Sequence, residues 1–231
     1  MAHLKVIGTG VFGAQVASAA GHILDDTTLL GVTGTFGLWG IATHPIATGT
    51  PPNIVVLTAA DWAIVKGQTK VTAATPEIFW ATLGLSGRLS FLGLTALTSL
   101  DLEGDNLTEP PVLTGCTALT SLCLYNNQLT TPPDLSTNTA LTSIALSSNQ
   151  LTTPPDLTMN VALAYLAIDD NQLVSAGVDA ILVALAAGTV NGGSVFLQQT
   201  PPAYPSETGL AARATLLAAP RSWETVSVDV A

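Results

Sequence analysis

The sequence is poor in charge, and positive charge is the scarcer of the two signs. Charged residues make up 10% of the 231 residues, whereas globular domains carry roughly 25%. Six basic residues stand against sixteen acidic ones, and no Lys, Arg or His occurs between Leu89 and Ala212. Because such a surface repels phosphate groups, the composition argues against binding to nucleic acid and to anionic membrane lipid.

Long apolar runs and a cysteine framework are also missing. No apolar run approaches the ~18 residues that a membrane-spanning helix needs, so none is expected. Polar and glycine positions interrupt the apolar stretch between Met1 and Ala20, and we expect folding to start at Met1 rather than after a cleaved signal peptide. Two cysteines, Cys116 and Cys123, form no framework and are expected to be free thiols.

Motifs that carry chemistry are scarce. Gly8-x-Gly10-x-x-Gly13 matches a dinucleotide-binding fingerprint after a possible strand, Leu4–Ile7. The following residues supply no convincing βαβαβ unit, and the nearest acids, Asp25 and Asp26, come too early to contact a ribose. We therefore interpret the glycines as a turn.

Metal-binding and catalytic patterns are equally weak. His3, His22 and His44 have no Cys or His partner at metal-ligand spacing. The acidic pairs Asp25-Asp26 and Asp169-Asp170 could bind Ca²⁺, but adjacent acids usually form a solvated surface. We expect no catalytic residue, no metal and no cofactor, and hence no enzyme.

One pattern is repeated four times between residues 97 and 173. It reads Leu-x-x-Leu-x-Leu-x-x-Asn-x-Leu, and its copies start at Leu97, Leu119, Leu141 and Leu163, a constant period of 22. The pattern and its period resemble those of leucine-rich repeat proteins, a family of stacked binding scaffolds. The resemblance implies an α/β fold: a short solenoid of about four 22-residue repeats plus caps, with one short strand per repeat. It also implies that the residues at the ninth position hydrogen-bond to the backbone of the neighbouring turn. These structural-ladder residues are Asp105, Asn127, Asn149 and Asn171.

The rest of the chain is divided around the repeats. We predict a β-rich N-terminal module at 1–74 and a leucine-rich repeat domain at 75–231, with caps at 75–96 and 174–231. In the module, the glycines from Gly31 to Gly40 indicate short strands with turns, and Thr58–Lys66 is a possible short helix.

The caps are predicted from their own signals. Thr75-Pro76-Glu77 indicates a helix start, with Phe79, Trp80 and Leu83 covering the first leucines. Ser175 is predicted to cap a helix that ends at Gly188. A strand through Val195 and Leu197 follows, with Thr200 in the ladder position. A helix from Ser206 to Ala219 and a strand through Trp223, Val226, Val228 and Val230 close the domain.

The connections between the strands contain paired prolines. Pro110-Pro111, Pro132-Pro133 and Pro154-Pro155 cannot lie inside a regular helix. The convex side should therefore be extended or turn-like, with Leu135 and Leu157 directed inward.

The exposed strand positions form the candidate binding surface, on the predicted concave face. Serine and tyrosine are adaptable contact residues, and acids are added to them here. The candidate residues are Ser99, Asp101, Glu103, Ser121, Cys123, Tyr125, Ser143, Ser147, Tyr165 and Asp169.

The closing stretch carries a second resemblance. It is similar to the end of repeat proteins encoded by tailed bacteriophages and some bacteria, which runs Gly-Leu-x-Ala-x-x-x-Leu-x-x-Arg-Gly-Trp-x-Val. The matching residues are Gly209, Leu210, Ala212, Leu216, Arg221, Trp223 and Val226, with Pro220 inserted and Ser222 in place of glycine.

This resemblance implies a virion accessory protein, such as a capsid decoration or tail component. Residues 1–88 would mediate self-association or attachment to capsid or tail proteins, and the concave face would bind a protein or a glycan. The alternative is an exported bacterial adhesin at the cell surface or in the medium.

Overall fold

The computed structural model describes residues 46–50, 53–57, 74–86 and 88–229. Within these ranges the chain forms nine strands and two helices. In chain order they are β1 (Ile46–Thr50), β2 (Asn53–Leu57), β3 (Glu77–Phe79), β4 (Ser99–Asp101), β5 (Ser121–Cys123), β6 (Ser143–Ala145), β7 (Tyr165–Ala167), α1 (Ser175–Ala187), β8 (Ser194–Phe196), α2 (Glu207–Leu217) and β9 (Thr225–Ser227).

Strands β1 and β2 form an antiparallel pair in which Ile46 lies opposite Leu57. They lie within the segment that the sequence predicts to be β-rich. The predicted turn at Gly8–Gly13, the glycine strands at Gly31–Gly40 and the helix at Thr58–Lys66 lie outside the described residues, as do the three histidines.

The other seven strands form one open parallel sheet, in which β3 to β9 follow one another in sequence order. Consecutive strands from β3 to β7 are paired at one constant offset, so that Leu100 lies opposite Leu122 and Leu122 opposite Ile144. The middle residue of each strand is buried because it points into the core. The predicted α/β class is confirmed.

The connections between strands β4 and β7 return without helices. From residue 88 to residue 174 the described backbone is strand, turn or irregular, as the paired prolines predict. The second proline of each pair is buried, and so are Leu135 and Leu157. After each strand the chain turns through a left-handed backbone conformation, which glycine and asparagine adopt most easily. The equivalent positions recur with the period of the repeat and are Thr82, Gly104, Asn126, Ser148 and Asp170.

A ladder of buried amides joins neighbouring connections. Asn149 Oδ1 accepts a hydrogen bond from Leu129 N at 3.0 Å, and Asn149 Nδ2 donates to Leu124 O and Leu146 O at 2.9 and 3.1 Å. Asn127 and Asn171 make the equivalent bonds one strand away on either side. Asp105 keeps the acceptor half of the pattern, because its Oδ1 accepts from Leu85 N at 3.0 Å.

The ladder continues after β7 through Gln199 and not through Thr200, so that prediction was wrong. Gln199 Oε1 accepts from Leu173 N at 3.2 Å, and its Nε2 donates to Ile168 O and Leu197 O. Gln199 lies one position before the expected one, and its side chain is one methylene longer than asparagine. The longer side chain makes up for the shift.

The predicted N-terminal cap helix is also wrong, because Glu77–Phe79 is strand β3. Ile78 lies opposite Leu100 in the parallel pairing and is 3% exposed, whereas Phe79 is 60% exposed. Trp80 is buried, and its ring lies 6.1 Å from the Phe91 ring. Residues 77–80 alternate between the surface and the core, which is the period of a strand. Residues 74–86 therefore belong to the sheet and its core.

The C-terminal part contains the predicted helices. In α1, Val178, Ile181, Leu182 and Leu185 are buried and Gly188 is the C-cap, as predicted. Ser175 is the first helical residue and Val174 occupies the N-cap without a side-chain hydrogen bond, so the predicted serine cap is wrong. Ser206 caps α2 by accepting a hydrogen bond from Thr208 N.

The closing strand is β9. Trp223, Val226 and Val228 are buried, and Val230 lies outside the described residues.

Substitution at two neighbouring positions of β3 tests whether Ile78 of this strand is part of the core. We expect Ile78→Ala to lower the free energy of unfolding by about 2–4 kcal/mol, because it leaves a cavity. Phe79→Ala should change it by less than about 0.5 kcal/mol, because that side chain is exposed. Urea denaturation of both variants measures the difference. Equal effects would contradict the assignment of Ile78 to the core.

The amide ladder makes a second prediction. Asn149→Ala should cost about 2–3 kcal/mol of unfolding free energy, because it leaves Leu129 N buried without its acceptor and removes one of the two amide donors to Leu124 O. Asn106→Ala is the control, since the Asn106 side chain accepts an exposed bond from Gln128 and its loss should cost less than about 0.5 kcal/mol. A loss below about 1 kcal/mol in Asn149→Ala would show that the ladder contributes little to stability.

Candidate functional site

The side chains that flank each buried middle residue lie together on the other face of the sheet, which we call the strand face. Parallel pairing at a constant offset places equivalent side chains side by side, so the face consists of three rows. The first row is Glu77, Ser99, Ser121, Ser143, Tyr165, Ser194 and Thr225, and the second is Phe79, Asp101, Cys123, Ala145, Ala167, Phe196 and Ser227.

The third row lies just beyond the ends of the strands. Backbone bonds continue the pairing there: Gly104 N donates to Tyr125 O, Asn126 N to Ser147 O, and Ser148 N to Asp169 O, each at 3.0 Å. Asp170 N donates to Gln198 O at 2.8 Å. The third row is Glu103, Tyr125, Ser147, Asp169 and Gln198.

The structure brings all ten candidate residues onto the strand face, within four adjacent strands. Ser147 differs from the expectation, because it is 3% exposed and donates its hydroxyl to Asp169. It holds that carboxylate and does not offer its own hydroxyl to a ligand.

Sequence reasoning missed the ends of the rows. Glu77 and Phe79 extend the rows on one side, and Ser194, Phe196 and Gln198 extend them on the other. Placing the repeat pattern one period earlier would have put Ile78, Trp80 and Leu85 at core positions and so revealed β3.

Negative charge is concentrated in the same part of the chain. Residues 1–73 contain three lysines and three aspartates, whereas residues 74–231 contain three arginines and thirteen carboxylates. The second part therefore carries the whole net charge of −10. Two of its arginines are hydrogen-bonded to backbone carbonyls near the C-terminal end: Arg213 donates to Val226 O, and Arg221 donates to Val190 O and Ala186 O.

Two carboxylates and a thiol meet at one place on the strand face. The ligand atoms of Asp101, Glu103 and Cys123 lie within 4.8 Å of one another. Burial raises the pKa of the Cys123 thiol to about 11, and the two carboxylates act in the same direction. Because metals bind the thiolate form, this thiol is a poor ligand at neutral pH. The three groups form an acidic patch on the strand face.

Aromatic side chains stand out from the strand face. Phe79, Tyr125 and Tyr165 are exposed. The Tyr165 ring lies 6.0 Å from the Phe196 ring at a tilted angle, which is a favourable arrangement for an aromatic pair. Tyrosines and serines at such density suit contact with a protein surface, and the acids favour a partner of opposite charge.

Comparison with known proteins adds no identification, because no protein-family model and no curated protein matches the chain.

Among the described helices, none combines the length and the apolar character that a bilayer crossing requires.

The raised pKa values of the two thiols predict that the stability of the fold changes at alkaline pH. Burial raises the pKa of Cys116 and of Cys123 from 9.0 to about 11. A raised folded-state pKa contributes stability below the unfolded value and loses it as the pH rises towards the folded one. We therefore expect the free energy of unfolding to fall between pH 9 and 11, by at most about 1.4 kcal/mol per pH unit for each thiol.

Denaturation at a series of pH values measures this fall. In the Cys116→Ala, Cys123→Ala double variant the slope should be smaller, since only other groups remain to titrate. An unchanged slope in the double variant would contradict the assignment to the thiols.

Proposed function

We propose that the protein is a non-enzymatic accessory component of a virus particle, a capsid decoration or tail protein. Residues 75–231 form a leucine-rich repeat solenoid that displays the strand face, and the strand face binds a protein partner. The single observation that carries the binding role is the strand face itself, which brings acids, tyrosines and serines together in continuous rows.

The repeat assignment is supported by register and hydrogen bonding. Strands β3 to β7 keep the same pairing offset throughout. Asn127, Asn149 and Asn171 each bond to the backbone of the preceding connection through both ends of the amide. A repeated sequence pattern with a repeated bonding role is typical of stacked-repeat proteins.

The residues that resemble the end of bacteriophage repeat proteins close the C-terminal end. Trp223 Nε1 and Arg221 Nη1 both donate to Val190 O, and Leu216 is buried. Gly209 packs so closely against Asp179 that a Cβ there would clash with the Asp179 carboxylate. These roles explain why the motif residues occur together, which supports kinship of this end with those proteins.

Attachment is assigned to residues 1–73. Residues 74–86 take part in the sheet and its core, so the attachment segment ends before them. The balanced charge of 1–73 differs from the acidity of the rest. Such a difference suits a division between a segment that packs against the particle and a segment that stays in solvent.

Co-purification tests the particle role. We expect the full-length protein to band with intact particles at a fixed ratio to the major capsid protein. Deletion of 1–73 should abolish this attachment, while the truncated chain keeps the circular dichroism spectrum and the cooperative unfolding of a folded sheet.

Three results would contradict the proposal. The first is absence of the protein from washed particles. The second is its presence, processed near Ala20, at the surface of the producing cell, which would favour the bacterial adhesin. The third is full attachment by a folded chain that lacks 1–73, which would refute the assignment of attachment to that segment.

A further inference from the structure

We propose that the third row, together with Asp101, binds an extended segment of a partner protein that carries two cationic side chains at positions i and i+4. This inference rests on the proposed binding role of the strand face and names the chemistry of its partner.

The charge of the face favours a cationic partner. Asp101, Glu103 and Asp169 lie on it, and no basic residue occurs in the sequence from Leu89 to Ala212. Arg213 and Arg221 are engaged with backbone carbonyls at the C-terminal end. A positively charged segment would relieve the repulsion between Asp101 and Glu103, whose carboxylate oxygens lie within 4.8 Å of each other.

The spacing follows from the register. Glu103, Tyr125, Ser147 and Asp169 occupy the same position on four successive strands. Adjacent strands lie about 4.8 Å apart, so the two acids are about 14 Å apart. An extended peptide that crosses the strands advances about 3.3 Å per residue, so residues i and i+4 are about 13 Å apart. They also point to the same side of the peptide. Two cationic side chains at this spacing reach both acids at once.

The space between the acids fits the middle of such a segment. Tyr125 is exposed and lies next to Glu103 in the row, where its ring can contact a guanidinium. Ser147 is buried, so the surface is low between Tyr125 and Asp169. In the second row, the neighbouring side chains of Ala145 and Ala167 are short and leave the surface low there as well. A peptide backbone therefore finds room beside Tyr125 before it reaches Asp169.

One of the two acids is held in place in advance. The Ser147 hydroxyl donates a hydrogen bond to Asp169 Oδ1, which fixes the carboxylate and leaves its second oxygen for a ligand. At the other end, Asp101 Oδ1 accepts from Glu103 N at 3.0 Å. Fixed acceptors cost less ordering entropy on binding than free ones.

Binding of two isomeric peptides to the full-length protein tests the spacing. The probe is a fluorescein-labelled Gly-Arg-Ala-Ser-Ala-Arg-Gly with blocked ends, and its isomer is Gly-Arg-Ala-Arg-Ala-Ser-Gly. Both have the same composition and charge, and only the first places its arginines at i and i+4. Fluorescence anisotropy at low salt should show binding of the first at least about three-fold tighter.

Three variants locate the site. Glu103→Gln and Asp169→Asn should each weaken binding of the first peptide by about three-fold and remove its advantage over the isomer. Glu109→Gln is the matched control, because it removes the same charge from an exposed position outside the strands and should leave the advantage unchanged. Equal binding of the two isomers, or an equal effect of all three variants, would reduce the interaction to net charge and overturn the inference.

The failure of this inference can be told apart from failure of the proposed function. Equal binding of the two peptides that is lost in Tyr125→Ala, without any effect of Glu103→Gln or Asp169→Asn, would keep the strand face as a binding surface and overturn its cationic partner. Spacing-dependent peptide binding by a protein that is absent from particles would support the cationic site and contradict the virion role.

Discussion

The buried amide ladder is the interaction on which the rest of the sheet depends. Each strand from β3 to β9 has only three residues, which is too short to be stable outside the stacked sheet. The return connections carry paired prolines, so their backbone groups cannot be satisfied within a helix. Asn127, Asn149 and Asn171 satisfy those groups by bonding across two adjacent connections at once. Stacking therefore satisfies the backbone and buries the leucines in the same step.

A fixed ladder leaves the strand face free to vary. The buried position of each strand must remain apolar and the ladder position must remain an amide or its acceptor equivalent. The flanking positions carry no such demand, so serine, cysteine, alanine, tyrosine and acids all occur there. Their spacing is nevertheless set by the ladder, because each row advances by one strand separation per repeat. The geometry of the face is thus fixed by the core, while its chemistry is independent of the core.

The repeated part of the fold could be predicted from the sequence because a constant period makes each copy support the others. Strand positions, the buried leucines and the extended connections all followed from it. Prediction failed where the period fails. Strand β3 and the residue after it carry Ile78 and Trp80 in place of leucines. Pro76, just before the strand, gives the segment the sequence signal of a helix start. Between β7 and β8 the insertion of α1 lengthens the offset, so that Tyr165 lies opposite Ser194. Counting from Val195 and Leu197 then gives Thr200 as the ladder residue, whereas the bond is made one position earlier by Gln199.

The residues of the candidate face could be predicted from the same period, but the exposure of each side chain could not. Ser147 belongs to the third row by spacing, and its burial accompanies a hydrogen bond to Asp169 on the next strand. A contact across strands has no signature in a linear pattern. The outer ends of the rows were missed for a related reason, because Phe79 and Phe196 lie on strands whose own copies of the pattern are degenerate.

The distribution of charge limits how copies of the chain can meet. Two strand faces brought together would place the carboxylates of Asp101, Glu103 and Asp169 on both sides of the interface, and no basic residue occurs between Leu89 and Ala212 to compensate. Like charges placed opposite each other across an interface cost free energy, so a face-to-face dimer is disfavoured. Residues 1–73 are free of this penalty, since their lysines and aspartates balance. Any assembly of the chain with itself is therefore expected through 1–73 or the ends of the sheet, which leaves the strand face open to a partner of opposite charge.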